Sequence, residues 1–199
     1  MLKASEKPGT MPEKVGTDLI QACGNNDRTA QRRVYELLFP AAMRICKRYC
    51  SKGEEAMEVL NTGFLKVFMQ LGSYRGQGSF EGWVKRIMVN TALDHVRKES
   101  KHQQQFILTD QFEEYTEDLP GEETMSSIGI DLLYGFISEL PPVSRMVFNL
   151  YVFEEYSHAA IAGELGISTG TSKWHLSNAR TILKARINTF CLQESKNGK

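Results

Sequence analysis

Apolar residues recur about every three to four positions along almost the whole chain, and this period constrains the fold more than any other feature. No segment of about four to eight residues alternates cleanly between apolar and polar side chains, as a half-buried strand requires. A period of three to four places apolar side chains on one face of a helix. The sequence therefore predicts an all-α protein.

Three amphipathic helices are predicted in the first half of the chain. The first covers residues 28–50, where Pro40 is expected to kink or divide it. The second covers residues 54–71, and the third covers residues 80–101, with a break or loop expected at the weak helix formers Asn90 and Thr91. The predicted buried faces, in chain order, are Val34, Leu37, Leu38, Ala41, Ile45 and Tyr49; Met57, Leu60, Phe64, Val67, Phe68 and Leu71; and Phe80, Val84, Ile87, Met88, Leu93 and Val96.

The period stops after His102 and returns at Asp131, where a stripe of Leu132, Leu133, Phe136, Ile137 and Leu140 begins. The residues between are polar and acidic and include Pro120-Gly121, which predicts a flexible linker. Pro141-Pro142 is expected to end one helix and start the next. The predicted organisation is an N-terminal segment, partly helical or disordered, then a helical domain, an acidic linker and a second helical domain: 1–27, 28–102, 103–130 and 131–193.

Charge is segregated along a chain whose net charge is zero. Residues 28–102 contain fourteen Lys or Arg against seven Asp or Glu, whereas residues 103–127 contain seven acids and no Lys or Arg. A basic block suits a polyanion such as nucleic acid, and an acidic block suits either self-screening or a basic channel in a partner. Both blocks are also compatible with ordinary solvated surfaces.

Residues 157–187 have the pattern of a helix-turn-helix. Ser157 is expected to cap a short helix, Gly166 to adopt the positive φ of a tight turn, and Ser168 to cap a second helix. Ile167 is expected to fill the core, and the second helix to bury Leu176, Ala179, Leu183 and Ile187. Its other face carries side chains suited to phosphates and base edges: Ser168, Thr171, Lys173, Trp174, Ser177, Asn178 and Arg180.

The stretch GSFEGWVKRIMVNTALDHVRK, residues 78–98, combines cations with aromatic residues. Single-stranded nucleic acid is held by cations on its phosphates and by rings on its unstacked bases. An asparagine can read the edge of a base that has left the stack. The candidate residues in and beside this stretch are Tyr74, Arg75, Trp83, Lys85, Arg86, Asn90, His95, Arg97 and Lys98.

Other classes of protein find little support in the sequence. No run approaches the roughly 18 apolar residues of a membrane span, the first thirty residues lack the apolar core of a signal peptide, and no membrane insertion is expected. The four cysteines form no CxxC pair, and we interpret Cys46 and Cys50 as reduced thiols rather than as metal ligands. No nucleophile with its base and no phosphate-binding glycine loop is present, so neither catalysis nor a cofactor is predicted. The expected location is the cytoplasm.

Three segments resemble bacterial RNA polymerase sigma factors of the extracytoplasmic-function (ECF) group. EAMEVLNTGFLKVF, residues 55–68, resembles the signature of the second conserved region, and residues 78–98 resemble the segment that melts promoters. ELPPVSRMVFNLYVFEEYSHAAIAGELGISTGTSKWHLSNARTILK, residues 139–184, resembles the fourth region. The segments have the order and spacing of that family.

The resemblance implies a function for each segment. Glu58 and Asn61, with Leu65, would dock on core RNA polymerase; Asn90 would capture a flipped base of the −10 element; the helix from Ser168 would read the −35 element as duplex. The acidic linker would thread the polymerase and imitate nucleic acid, and an anti-sigma factor would hold the free protein. Trp174 and His175 stand where relatives commonly have serine and a basic residue, which predicts an unusual −35 preference.

Two other functions are compatible with parts of the pattern. A stand-alone helix-turn-helix regulator would bind duplex operators tightly without polymerase and would have no use for Glu58. A protein-interaction module would use its basic faces on protein partners. Run-off transcription with core polymerase separates all three.

Overall fold

The computed structural model describes residues 14–102 and 129–197, so most of the predicted linker and both chain ends lie outside the described residues. The chain divides into two compact units, residues 1–102 and 103–199. Every regular element in the described ranges is helical, with eight α-helices and one short 3₁₀ turn. The all-α prediction is confirmed.

The N-terminal unit consists of four α-helices. They are α1 Thr17–Gly24, α2 Arg28–Tyr49, α3 Gly53–Met69 and α4 Phe80–His102, with a 3₁₀ turn at Leu71–Ser73. Helices α2, α3 and α4 pack on one another, and α1 packs on α2. Residue 15 is attached to α4 because the buried Glu81 carboxylate accepts a hydrogen bond from the Val15 N–H. The N-terminal segment therefore contributes a helix to this unit.

Helix α2 continues through Pro40, so the predicted division there is wrong, while the alternative of a kink stays a prediction. Asp27 caps its first turn by accepting hydrogen bonds from the N–H groups of Thr29 (2.7 Å) and Ala30 (3.1 Å). The proline ring is exposed, while Leu38, Ala41 and neighbouring side chains are buried against α3 and α4. The buried apolar face compensates for the roughly 3 kcal/mol that an internal proline costs.

Helix α4 is continuous through Asn90 and Thr91, so the predicted break or loop at these residues is wrong. The Thr91 hydroxyl donates to the carbonyl of Ile87 at 2.8 Å, one turn earlier, and Thr91 is buried. Burial of Met88, Val89 and Ala92 on either side holds the helix together. Weak intrinsic propensity is overridden by this packing.

The predicted buried faces of this unit are mostly correct. Met57 is the clear error, because 40% of its surface is exposed, and Leu37, Phe68 and Ile87 are only half-buried. The core also includes residues that the periodicity did not select, such as Cys46, which is fully buried. Burial raises the pKa of the Cys46 thiol to about 12, with Cys50 as a second cause, so Cys46 is a protonated core thiol at neutral pH.

The C-terminal unit consists of α5 Ile130–Ser138, α6 Pro142–Val152, α7 His158–Leu165 and α8 Thr169–Asn197. Helix α8 packs on α5, α6 and α7. Pro142 is the first residue of α6, as predicted, and α5 begins one residue before the predicted start. The Arg145 guanidinium is buried and donates to the Ser138 carbonyl at 2.6 Å, which ties α6 to the end of α5.

The predicted helix-turn-helix is formed by α7 and α8. The Ser157 hydroxyl accepts from the Ala160 N–H at 3.2 Å, Gly166 has φ 68°, and the Ser168 hydroxyl accepts from the Thr171 N–H at 2.9 Å. Leu176, Ala179, Leu183 and Ile187 are buried as predicted. Ile167 is only half-buried, so it lies at the edge of the core.

Candidate nucleic-acid interface

An exposed apolar and acidic stripe follows one side of α3. Leu65 and Met69 have 60% and 76% of their surface exposed, and Glu58 and Asn61 are exposed as well. Met57, Asn61 and Leu65 follow one another at a spacing of four and therefore share a face. The Tyr35 hydroxyl donates to Asn61 Oδ1 at 3.3 Å, which orients the amide from the neighbouring helix. We call these residues the α3 stripe: Met57, Glu58, Asn61, Leu65 and Met69.

Sequence reasoning selected the polar members of the α3 stripe and Leu65, but it missed Met57 and Met69. Large apolar side chains at these exposures are costly on a free surface and mark a contact site when they are contiguous. The signal available from sequence was the spacing of Met57 from Asn61 and Leu65, but Met57 also fits the apolar period of the buried face.

The loop before α4 folds around three aromatic rings. Tyr74, Phe80 and Trp83 have ring centroids 5.3 to 5.7 Å apart, and the Tyr74 hydroxyl donates to the Gly78 carbonyl at 3.0 Å. Gly76 and Gly78 have φ values of 70° and 87°, which favour glycine at these turns. Trp83 is half-buried, so it is part of this cluster and also reaches the surface.

A pocket of about 320 Å³ lies beside this aromatic cluster. Its lining includes Tyr74, Phe80 and Glu81 from the loop and α4, and Lys14 and Ile20 from the N-terminal segment. Because its lining is partly aromatic, the pocket has the chemistry to stack a planar group. No pattern in the sequence predicts that residues from the segment 14–20 border this pocket.

The predicted single-strand residues on α4 fall into two sets. One face of α4 carries four of them, at spacings of three, four and seven: Trp83, Arg86, Asn90 and Arg97. Asn90 lies on a regular helix there rather than in the predicted loop. Arg75 and Lys98 are exposed. Lys85 and His95 lie away from this face and are half-buried, with contacts to other groups.

Part of the positive charge on α4 is compensated within the unit. Asp94 pairs with Lys66 at 3.3 Å and with Arg97 at 3.5 Å. Asp94, His95 and Lys98 border a polar groove of about 190 Å³ between α3 and α4, which also includes Glu58. Exposed pairs of this kind contribute about 0–1 kcal/mol and are readily exchanged for other partners, so they do not prevent Arg97 from contacting a phosphate.

The predicted duplex-reading residues on α8 have different environments. Lys173 is exposed and Ser177 is half-buried. Ser168 and Thr171 bond to each other in the cap, with their hydroxyl oxygens 2.8 Å apart. Trp174 is half-buried, and its ring meets His175 edge-on with centroids 4.8 Å apart. Of this set, Ser168 and Lys173 are exposed and the other five residues are half-buried.

Asn178 is directed toward α6 rather than toward solvent. Its Nδ2 donates to the Ser144 hydroxyl at 3.3 Å, and the same hydroxyl lies 2.9 Å from His175 Nδ1. Ser144 is fully buried. Burial lowers the pKa of His175 to about 4, so this ring is neutral at pH 7. The three side chains form a polar network inside the unit that the sequence did not predict.

Arg180 and His158 meet at Tyr151. The Arg180 guanidinium lies over the Tyr151 ring, 5.9 Å from its centroid, and His158 stacks on Tyr151 with centroids 4.8 Å apart. His158 Nδ1 is 2.9 Å from the hydroxyl of the buried Ser172. His158 and Tyr151 were not selected from sequence, because only the packing of α6, α7 and α8 brings them beside Arg180.

Within the described parts of the chain, no group of three or more His, Cys, Asp or Glu residues is placed to hold a metal ion. No helix in these ranges is long and apolar enough to cross a membrane. A capped helix-turn-helix in one unit and a helix with cations and an aromatic ring on one face in the other are features of DNA-binding proteins.

Comparison with known proteins places this architecture in a family. The family model for sigma-70 region 2 matches residues 34–102, and the model for sigma-70 region 4 matches residues 130–183. The two matches occur in chain order and together cover more than half of the chain. The chain therefore belongs to the sigma-70 family of RNA polymerase sigma factors, in its ECF group.

Curated relatives have the same character. The ECF RNA polymerase sigma factor SigE of Mycolicibacterium smegmatis is 29% identical over 177 residues, which cover 86% of this chain and 67% of that protein. The ECF RNA polymerase sigma-E factor of Haemophilus influenzae is 26% identical over 148 residues, covering 70% and 78%. A solved complex of the sigma factor RpoE with the anti-sigma factor NepR from Bartonella quintana aligns at 20% identity with a TM-score of 0.47, covering 77% of this chain and 94% of RpoE.

Proposed function

We propose that this sigma factor binds core RNA polymerase through the α3 stripe and holds promoter DNA with both units. The N-terminal unit would grip the melted −10 strand, and the C-terminal unit would bind the −35 element as duplex. The observation that carries this proposal is the combination of the exposed α3 stripe with two separate basic surfaces, on α4 and α8, in one chain.

The α3 stripe supports the docking proposal because its chemistry suits a protein partner. Leu65, Met57 and Met69 supply exposed apolar area, and Glu58 and Asn61 supply polar groups that fix the register. Full burial of a Leu or Met side chain contributes roughly 1.5 to 3 kcal/mol, which is the upper limit for each of Leu65 and Met69 at such a contact. The acid and amide predicted from sequence are thus flanked by exposed apolar side chains that would join the same contact.

For the −10 element, we assign the principal contacts to the face of α4 that carries Trp83, Arg86 and Asn90. Arg86 and Asn90 are exposed, and Trp83 reaches the surface from the aromatic cluster. Cations at this spacing would follow a strand backbone, while Asn90 offers both a donor and an acceptor to a base edge. Arg75, Arg97 and Lys98 would add phosphate contacts.

For the −35 element, we assign base and phosphate contacts to Lys173, Trp174 and Ser177 on α8. Ser168 and Thr171 would act mainly by holding the start of α8, because each already bonds within the cap. Asn178 would act mainly through the Ser144 network. The number of residues that read bases directly would therefore be smaller than the sequence predicts.

We propose a location, a mode of strand opening and a further partner as well. The protein would act in the cytoplasm and would have no catalytic residues, so strand opening would use binding energy alone. The acidic linker lies outside the described residues, and its threading through the polymerase stays a prediction. An anti-sigma factor would bind the free protein and cover the surfaces that polymerase and DNA use.

The docking proposal is tested by Glu58→Arg, with Glu164→Arg as the matched control. Both acids are exposed, but Glu164 lies on α7 in the other unit, so the control has the same change in net charge. Affinity for purified core polymerase, measured without DNA, should fall at least tenfold for Glu58→Arg and stay within twofold for the control. A tenfold loss is about 1.4 kcal/mol, and like-charge contacts at an interface cost at least that much. Equal affinities would refute the assignment.

A further inference from the structure

Two potential cations, His158 and Arg180, lie against Tyr151, and a third, Lys173, is near enough to His158 to lower its pKa. Arg180 and His158 both contact the Tyr151 ring, and Lys173 and Arg180 lie two turns apart on α8. Residues at this spacing share a face of a helix. We call these four residues the Tyr151 cluster.

The Tyr151 cluster has no acidic partner among the described residues of its unit. Neither Lys173 nor Arg180 forms an ion pair there, whereas Arg186 on the same helix pairs with Glu139 at 3.0 Å. Arg180 Nε is buried and has no hydrogen-bond partner among the described groups. An arginine that has no acidic partner among the described residues and lies beside two further basic groups indicates a place for an anion.

His158 is held so that one nitrogen is committed and the other is available. Nδ1 lies 2.9 Å from the hydroxyl of Ser172, which has none of its surface exposed. Stacking on Tyr151 fixes the plane of the ring. Nε2 therefore remains for a partner outside the unit. His158 is also the first residue of α7, where backbone N–H groups and the helix dipole favour negative charge.

We propose that the Tyr151 cluster binds one backbone phosphate of the promoter duplex, and that His158 takes up a proton when the phosphate binds. The inference rests on the proposed −35 function, because it assigns a phosphate contact at the edge of the same surface. In helix-turn-helix proteins the first helix crosses the DNA backbone while the second lies in the groove. A cluster between α7 and α8 is thus placed for backbone contact rather than for base reading.

The direction of the proton linkage follows from the groups that face His158. Burial lowers the pKa of His158 below its usual value, and Lys173 and then Arg180 lower it further. Helix α6 contributes the Tyr151 ring, which stacks on His158, and α8 also contributes the Ser172 hydroxyl. The negative charge of a bound phosphate opposes the effect of Lys173 and Arg180 on His158, so the pKa of His158 is higher in the DNA complex than in the free protein. DNA affinity should therefore rise as pH falls through the pKa of the complex.

The size of the effect is bounded by a single proton. One proton gives at most a tenfold change in affinity for each pH unit. Because the ring is partly exposed, we expect an increase of about threefold to tenfold between pH 8 and pH 6 at constant ionic strength. The part of the pH dependence that belongs to His158 is the difference between wild type and a variant that cannot titrate.

The experiment uses holoenzyme, assembled from core polymerase and the full chain, on a duplex that carries the −35 element. The duplex is taken from genomic fragments that wild-type holoenzyme selects. Equilibrium binding is measured at pH 6 and pH 8 for wild type and for His158→Asn, since asparagine can bond Ser172 but has no titratable proton. His175→Asn is the matched control, because the pKa of His175 is about 4 and its ring therefore stays neutral over this pH range. Circular dichroism establishes that each variant is folded.

For wild type and for His175→Asn, the affinity for the duplex should be about threefold to tenfold higher at pH 6 than at pH 8, after dividing by the change that His158→Asn shows over the same range. In addition, Lys173→Ala and Arg180→Ala should each reduce the slope of log affinity against log salt by about one.

If His158→Asn keeps the full wild-type pH dependence, the proposal is overturned. If the pH dependence that His158 controls is found in core binding without DNA, the anion is a protein carboxylate, and the phosphate assignment is wrong. If wild-type holoenzyme binds no −35 duplex at either pH, the proposed −35 function itself fails.

Discussion

Gly63 lies on α3 against the buried Met88 of α4, and the substitution Gly63→Ala tests that packing. A Cβ at this position would overlap Met88 Sδ and lie 3.1 Å from Met88 Cε. Met88 is fully buried, so its side chain cannot turn toward solvent without leaving a cavity. The added methyl group must therefore push α3 away from α4 or distort Met88.

Two opposing terms set the size of the effect on the free energy of unfolding. Removing a glycine from a helix interior stabilises by about 0.5 to 1 kcal/mol. Overpacking a closely packed contact costs about 1 to 3 kcal/mol. The expected net effect is a destabilisation of about 0 to 2.5 kcal/mol. Met88→Ala alone should cost about 2 to 5 kcal/mol, and in that background Gly63→Ala should become stabilising because the space is vacant.

The measurement is urea unfolding followed by the fluorescence of Trp83. The chain has two tryptophans, one in each unit, so a Trp174→Phe background makes the signal specific to the N-terminal unit. Unfolding of each unit is then treated as its own two-state transition. If Gly63→Ala stabilises the unit by the same amount with Met88 present and with Met88→Ala, the close approach does not restrict residue 63 and the reasoning is refuted.

Three further predictions concern the sites. The pKa of His175 is about 4 in the folded protein, below the usual value of about 6.5, so the unfolded chain binds more protons. The free energy of unfolding should therefore be retained above pH 6.5 and fall by about 1 to 2 kcal/mol as the pH drops toward 4, after allowing for solvent screening. Urea unfolding monitored by Trp174 in a Trp83→Phe background should show this loss with His175 present and less of it with His175→Asn. Asn90→Ala should impair promoter opening, measured by permanganate reactivity, and leave core binding unchanged, because Asn90 is exposed on the α4 face and away from the α3 stripe. Asn178→Ala should lower the stability of the C-terminal unit by about 0.5 to 1.5 kcal/mol, since it removes the bond to Ser144.

Each of these three predictions has a contrary result. Equal loss of stability at low pH in wild type and His175→Asn would show that another group titrates. Weakened core binding by Asn90→Ala would place this residue in the docking surface. Unchanged stability of Asn178→Ala, combined with weaker duplex binding, would return Asn178 to the base-reading set.

The all-α class and the helix-turn-helix could be predicted because they depend on local signals. Ser157, Gly166 and Ser168 act within one turn of their own position, so their types alone predict the caps and the turn. The buried stripe of α8 is also local, since it follows from the helical period. These features need no knowledge of which helices are neighbours.

The errors come from contacts between helices. Asn90 and Pro40 are poor helix formers, but burial of the residues beside them keeps α4 and α2 intact. Met57 fits the apolar period of α3 and is nevertheless exposed, because no described helix covers that side. Asn178 suits a base edge by residue type, and only the position of Ser144 on α6 turns it inward.

The most direct test of the central claim is run-off transcription with purified core polymerase and the full chain on a library of genomic templates. We expect discrete transcripts that require the added chain, and we expect them to be lost when the Glu58→Arg variant is added in its place. If the chain is folded, forms a stable assembly with core polymerase and still yields no promoter-dependent transcript from any template, the central claim is contradicted.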